Sequence, residues 1–296
     1  MLHALLRPLG LLALALPALA CAQTSTLDKI KQSGTMTLAY RESSIPFSYL
    51  DDKAQPTGFG YELCEKIAER VKAQTGRSDM KKQYQAVTSA NRIPLLVNGT
   101  IDIECGSTTN NSERGKQVAF AINYFYTGTR FLVKTGTNVN KLADLAGKTV
   151  VSTTGTTNFQ ILRRLNEEQK LGIDLLGAKD HAESALMVQT GRAVAFGMDD
   201  ILLYGLRASA QDPSSLAVVG EPIQVEPYAI MLRRDDPSFK KLVDDTLAAM
   251  MKSGEFEALY KKWFQSPIPP KGINLNAPVS KELQDNLKNL SDKPAT

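Results

Sequence analysis

LLVNGTIDIECGS, residues 95–107, and LMVQTGRAVAFGMD, residues 186–199, present the same signals in the same order: an apolar helix end, a glycine, a short apolar strand and a polar terminus. The interval from Gly99 to Ser107 equals that from Gly191 to Asp199, eight residues in each case. A helix-to-strand unit used twice points to two similar α/β lobes rather than one large sheet. Such folds place ligands beyond the carboxyl ends of their strands, so Ser107 and Asp199 are expected to face each other across a cleft.

The flanking sequence continues this alternation. Residues 35–40 read as a strand, and 61–72 as a helix with Cys64, Ile67, Ala68 and Val71 at helical spacing and Gly76 as its stop. Ser89 or Asn91 caps a short helix through 95–97, Gly99 ends it, and Ile101, Ile103 and Cys105 alternate as a strand. Further on, 148–152 reads as a strand, 157–169 and 181–189 as helices, and 193–197 and 228–232 as strands. Asp236-Pro237 opens a helix to about Lys252, and 255–264 forms another. Strands alternating with helices predict α/β architecture with largely parallel sheets.

The chain has 296 residues, 43% hydrophobic and 22% charged, which excludes a disordered chain and a polytopic membrane protein. Its net charge of +4 drops by one if Arg7 leaves with a leader, too weak and dispersed for nucleic-acid binding but compatible with small anionic ligands. Arg7 precedes an apolar run over 9–20 that is too short to span a hydrocarbon core. Residues 1–22 therefore read as a signal peptide cleaved after Ala20 or Ala22 and addressing the protein outside the cytoplasm. A competing reading lipidates Cys21, although Ala18-Leu19-Ala20 is a poor lipobox.

Export into an oxidising space leaves Cys64 and Cys105 to pair or to stay as buried thiols. The closed loop would span about 41 residues, for which chain entropy gives roughly 4 kcal/mol. Neither metal nor cofactor is expected, because the chain beyond the leader holds two cysteines, a single histidine, His181, and no zinc spacing.

Seven segments, AYRESSIPFSY (39–49), TSANRIPLLVNGTIDIECGSTTNNSERG (88–115), GTRFLVKTG (128–136), TTGTTNFQILRRLNEEQK (153–170), AKDHAES (178–184), GRAVAFGMDD (191–200) and KKWFQSPIPP (261–270), together resemble the periplasmic glutamate/aspartate-binding proteins of ABC importers. The resemblance covers nearly the whole chain beyond the leader. It implies a two-lobed type II periplasmic-binding fold joined by two hinge strands, with lobe one at 26–126 plus 227–296 and lobe two at 127–226. A monomer is implied, with L-glutamate or L-aspartate as ligand and a membrane permease as partner. The family's usual GFDVDL-like segment departs here to Gly58-Phe59-Gly60-Tyr61-Glu62-Leu63.

An amino dicarboxylic acid brings two carboxylates and an ammonium, so enclosing it requires counter-charges. Arg114, after Ser107 and Thr109 at a strand end, matches the family's α-carboxylate grip. Arg41 at a strand end, and Arg92 in the helix turn beside Ser89, match positions toward the distal carboxylate; helix dipoles disfavour a cation at that end, which favours a functional reason for Arg92. From the second lobe, Thr154 and Thr157 flank a strand-to-helix turn suited to anions, His181 is expected to donate to the distal carboxylate, and Asp199 to take the ammonium, with Asp200 the lesser choice. Phe47 and Tyr49 line either the cleft mouth or the core. The turn lacks GxxxxGK[ST], which argues against nucleotide binding. Dehydratases share the implied fold, and His181 beside a carboxylate is a conceivable acid/base pair, but no nucleophile elbow or cofactor fingerprint accompanies it, so a binder is expected rather than an enzyme. A sensor role for the same binder stays open.

Overall fold

A computed structural model describes residues 24–295. The signal-peptide reading, with Arg7 and Cys21, lies outside the described residues. In chain order the strands are β1 (Thr35–Tyr40), β2 (Ser43–Ser44), β3 (Ser48–Leu50), β4 (Pro56–Thr57), β5 (Lys81–Ala86), β6 (Ile103–Glu104), β7 (Val118–Phe120), β8 (Phe125–Lys134), β9 (Thr149–Thr153), β10 (Asp174–Ala178), β11 (Ala195–Asp199), β12 (Leu216–Val219), β13 (Val225–Tyr228) and β14 (Met231–Arg233). The helices are α1 (Thr26–Ser33), α2 (Phe59–Thr75), α3 (Arg92–Val97), α4 (Thr157–Gln169), α5 (His181–Gln189), α6 (Asp200–Ser209), α7 (Pro237–Ser253), α8 (Glu255–Phe264) and α9 (Lys281–Asn289).

The sequence repeat is visible down to its hydrogen bonds. Gly99 and Gly191 both take positive φ, 79° and 78°. In the first copy Ile101 N–H donates to Leu95 O and Asp102 N–H to Thr37 O; in the second, Ala193 N–H donates to Met187 O and Val194 N–H to Thr149 O. Each glycine thus turns the chain at the same angle from helix into strand, delivering β6 beside β1 and β11 beside β9 in parallel. Helix caps follow the sequence as well, Asp180 accepting from Glu183 N and Asp236 from Phe239 N.

Besides a small antiparallel sheet of β2, β3 and β4, two larger sheets result, ordered β5-β1-β6-β14-β7 and β10-β9-β11-β8-β12. They are mixed rather than largely parallel: β14, β8 and β12 run antiparallel to their neighbours. β14 and β8 follow passages between the sheets instead of helical crossovers, so the βαβ rule does not impose a parallel direction on them, whereas β12, reached from β11 through α6, runs parallel to β11 with the antiparallel β8 between them. The two passages lie side by side, β13 pairing antiparallel with the start of β8 from Val225↔Gly128 to Tyr228↔Phe125. Beneath them Phe47, fully buried, packs edge-on against Phe125 at 4.9 Å and Tyr228 at 5.1 Å. Phe47 and Tyr49 are therefore core residues and not a cleft rim.

Cys64 on α2 and Cys105 beyond β6 are joined in a disulfide with Cα atoms 5.8 Å apart. The helix comes so close that a Cβ on Gly60 would collide with Cys105 O. That contact explains the departure at Gly60, since no larger residue fits between α2 and the strand end. Replacing both cysteines by alanine opens a loop with a sequence separation of 41. The expected loss is about 4 kcal/mol, lowering the melting midpoint on the order of 10 °C by scanning calorimetry; coincident melts of wild type and double variant would contradict it.

Candidate functional site

The strand ends of both sheets converge on a buried cluster of six ionisable side chains. Arg41 follows β1, Arg92 opens α3 and Arg114 lies on the short turn after Asn111; Glu104 ends β6, Asp199 ends β11 and Glu226 sits on β13. All six are buried, none more than 8% exposed. Buried ions are ordinarily paired, because desolvating each costs several kcal/mol. Here, among the described residues, no ion pair joins any of the arginines to any of the carboxylates. The guanidiniums instead hold neutral groups. Arg41 Nη2 donates to Ser89 Oγ at 2.8 Å, Arg92 Nη1 to Thr108 Oγ1 at 2.5 Å and Ser107 O at 3.3 Å, and Arg114 Nη1 to Thr109 O at 2.9 Å.

Several buried atoms of this cluster have no hydrogen-bond partner: Arg41 Nη1 and Arg92 Nε on the donor side, and Glu104 Oε1, Glu226 Oε1 and Asn158 Oδ1 on the acceptor side. Unsatisfied buried donors and acceptors are rare in native interiors, and their gathering at one place marks a binding locus. Burial and the neighbouring Arg92 push Arg41 and Arg114 down to about 9, which leaves both cationic at neutral pH.

The two halves touch here. Arg114 Nη2 donates to Gly155 O at 3.2 Å, Arg41 Nη2 lies 3.3 Å from His181 Nε2, and Thr109 Oγ1 lies 3.3 Å from Thr157 Oγ1. These pairs, rather than Ser107 with Asp199, span the cleft; Ser107 Oγ turns to Ser44 at 3.2 Å. Asp199 accepts from Asn158 Nδ2 at 2.7 Å and from the Tyr228 hydroxyl. Asp200, the lesser choice for the ammonium, instead accepts from Thr127 Oγ1 at 2.6 Å.

Three expectations change. His181 offers no free donor: Ser184 O–H donates to Asp180 O, so Thr153 donates to Ser184 and accepts from His181 Nδ1–H, leaving Nε2 to accept from Arg41. Burial and the charges of Arg41 and Arg92 hold its ring well below the usual histidine value, hence neutral. Thr154 is exposed and spends its N–H on Ala178 O, so the buried hydroxyls at that turn belong to Thr153, Thr156 and Thr157. Ser89 does not cap α3, its hydroxyl being the acceptor for Arg41, and Asn91 at the cap makes no side-chain cap bond either.

Sequence reading missed Glu104, Glu226, Asn158 and Thr108. Glu104 carried a faint signal as a charge in an apolar strand, but Asp102 two residues earlier carries the same one and is satisfied by Lys29 at 2.7 Å and Thr37 N at 2.8 Å. A broad open hollow of about 890 Å³ bordered by Tyr126, Asn289 and Lys293 shares none of the cluster's residues.

With this geometry stand the resemblances to other proteins. Residues 36–266 match the bacterial extracellular solute-binding proteins, family 3. The chain belongs to that family. An L-glutamate/L-aspartate-binding protein of Pseudomonas aeruginosa is 48% identical over 283 residues, 95% of this chain and 94% of the relative. A glutamate/aspartate import solute-binding protein of Escherichia coli is also 48% identical, over 96% of each chain. Among solved structures, a mutant of ArgBP from T. maritima aligns with a TM-score of 0.73 at 26% identity, covering 81% of this chain and 99% of that one. The ancestral amino acid-binding protein AncCDT-1 aligns with a TM-score of 0.67 at 28% identity, covering 81% and 99%. This family member thus has the type II periplasmic-binding fold.

Burial, and then the charge of Glu226, push Asp199 up to about 8, whereas an unfolded aspartate titrates near 3.9. Between those values the folded protein holds a proton that the unfolded chain lacks, so folding stability falls as pH rises across this window. Asp199→Asn removes the effect. In protein freed of small molecules by unfolding and refolding, wild type is expected to lose more stability than D199N between pH 5 and pH 8; parallel profiles would contradict the shift.

Proposed function

We propose that this protein captures L-glutamate or L-aspartate between its lobes and delivers it to the membrane permease of an ABC importer. The observation that carries this reading is the buried cluster of arginines and carboxylates with no ion pair between the two kinds. A ligand with two carboxylates and one ammonium supplies each with its missing counter-charge. Arg114, with Ser107 and Thr109, grips the α-carboxylate; Arg41 and Arg92, with Ser89, take the distal one; Asp199 takes the ammonium, and Thr157 closes from the second lobe. His181 holds the Arg41 guanidinium in place and does not act as a donor.

The division into lobe one at 26–126 plus 227–296 and lobe two at 127–226 follows the paired passages β8 and β13. Closure about these strands with ligand stabilising the closed state fits the contacts of Arg114 with Gly155 and Arg41 with His181. Gly155 has φ 81°, and a Cβ there would lie 2.6 Å from Ala90 Cα in the opposite lobe. Gly155→Val is therefore expected to weaken ligand binding by hindering closure and, because a β-branched residue is strained at this φ, to lower the melting temperature as well; unchanged affinity in the folded variant would contradict a closed bound state.

Removal of the leader at 1–22 and release as a monomer into the periplasm complete the reading, and among the described residues no helix is long and apolar enough to cross a membrane. One methylene separates the two dicarboxylates, worth only about 1–3 kcal/mol in a pocket, so both are accepted. Glutamine, with a neutral amide facing arginine donors, is not. Isothermal titration of stripped protein is expected to give one-to-one binding of L-glutamate and L-aspartate at micromolar or tighter affinity, about −8 kcal/mol or below, with L-glutamine and L-histidine silent. Arg41→Ala or Arg92→Ala should weaken glutamate by about tenfold or more. Unchanged affinity in both variants would discard the distal-carboxylate assignment, and a preference for glutamine would overturn the reading.

A further inference from the structure

Glu226 occupies an unusual position for a carboxylate. It is fully buried on β13, where it pairs with Thr127 of β8, so it belongs to the passage between the lobes. One oxygen, Oε2, accepts from Thr109 Oγ1 at 2.5 Å and from Thr157 Oγ1 at 2.6 Å, the first hydroxyl from the first lobe and the second from α4 of the other. The second oxygen, Oε1, is buried and has no partner. Two neutral hydroxyls do not neutralise a desolvated carboxylate, and an unpaired buried acceptor is destabilising in its own right.

Asp199 lies close enough for the charge of Glu226 to raise it, and the two are tied by neighbours: Tyr228, two residues along β13, donates to Asp199, while Asn158, next to Thr157, donates to it from α4. Arg114 feels both carboxylates yet bonds only Thr109 O and Gly155 O. Two acidic groups buried side by side with no cation in contact, one of them keeping its proton up to about pH 8, form a site that a cation completes.

We infer that Glu226 is a second acidic anchor for the ligand's ammonium, acting with Asp199 and Thr109 Oγ1, and that it sets selectivity for amino dicarboxylates over dicarboxylates lacking the amino group. An ammonium has three N–H donors, and Asp199, Glu226 Oε1 and the remaining lone pair of Thr109 supply three acceptors. A ligand without the ammonium leaves the Asp199–Glu226 pair buried with no cation, so it is rejected by uncompensated desolvation as well as by missing bonds.

The inference rests on the dicarboxylate reading and is separable from it by calorimetry with two probes, L-glutamate and glutarate, which is glutamate without its amino group. Wild type is expected to prefer glutamate by about a thousandfold or more. Glu226→Gln keeps the shape and an acceptor for Thr109 and Thr157 but loses the charge. It should weaken glutamate by about tenfold or more while leaving glutarate unchanged or tighter, so the preference collapses. Glu226→Asp retains the charge and should keep the preference within about tenfold of wild type; should E226Q fail to fold, Glu226→Ala, which also removes the charge, carries the test with the same expectation. Glutamate and glutarate weakening in equal measure in the folded neutral variant would make Glu226 a structural latch and overturn the inference. An unchanged preference in E226Q would overturn it as well. Wild type that binds neither glutamate nor aspartate would overturn the dicarboxylate reading and this inference with it.

Discussion

Three guanidiniums taken out of water with no carboxylate in contact are the constraint on which the rest of the molecule depends. Charge buried this way is tolerated only where surrounding dipoles hold it and an external counter-charge completes it. Arg41, Arg92 and Arg114 spend donors on hydroxyls, carbonyls and, for Arg41, the His181 ring, while Arg41 and Arg92 each keep a buried donor without a partner. Glu104, Asp199 and Glu226 stand nearby and keep the interior from being strongly cationic without quenching the arginines. The arrangement is electrostatically incomplete by itself, which suits a receptor that must hold its ligand in transit and then release it.

The architecture serves that incompleteness. Two copies of one helix-glycine-strand unit bring β6 and β11 to the same depth from opposite sides, and the paired passages β8 and β13 allow them to approach. The direct hydrogen bonds across the cleft, Arg114 to Gly155 and Arg41 to His181, are long at 3.2 and 3.3 Å, and each is worth only about 1 kcal/mol. A ligand that adds charged hydrogen bonds on both sides supplies the larger share of the closing free energy. Glu226, on the passage itself and bonded toward both lobes, is where hinge and ligand chemistry coincide.

Much of this was legible in sequence, and unevenly. Local signals carried the elements well: β1, α4, α5 and α8 run where periodicity and caps put them, and the glycine repeat anticipated a pair of matching hydrogen bonds. The arginines were legible through resemblance, since Arg92 at a helix start is an exception to dipole preference. What escaped reading depends on partners far along the chain. Glu226 and Thr109 are 117 residues apart, and Glu226 and Thr157 are 69 apart. Nothing local distinguishes Glu226 from any carboxylate before a proline. His181 was expected as a donor, but its tautomer depends on Thr153 and Ser184, which makes it an acceptor for Arg41. Thr154 and Thr153 differ by one position at a strand end, which reverses the side chain's direction.

A crystal structure of the stripped protein grown with L-glutamate tests the central claim most directly. The account predicts one glutamate enclosed by both lobes, one carboxylate on Arg114, the other reached by Arg41 and Arg92, and the ammonium between Asp199 and Glu226. A glutamate bound outside this cluster, or one inside it with the ammonium turned toward the arginines and its carboxylates toward Asp199, would contradict it.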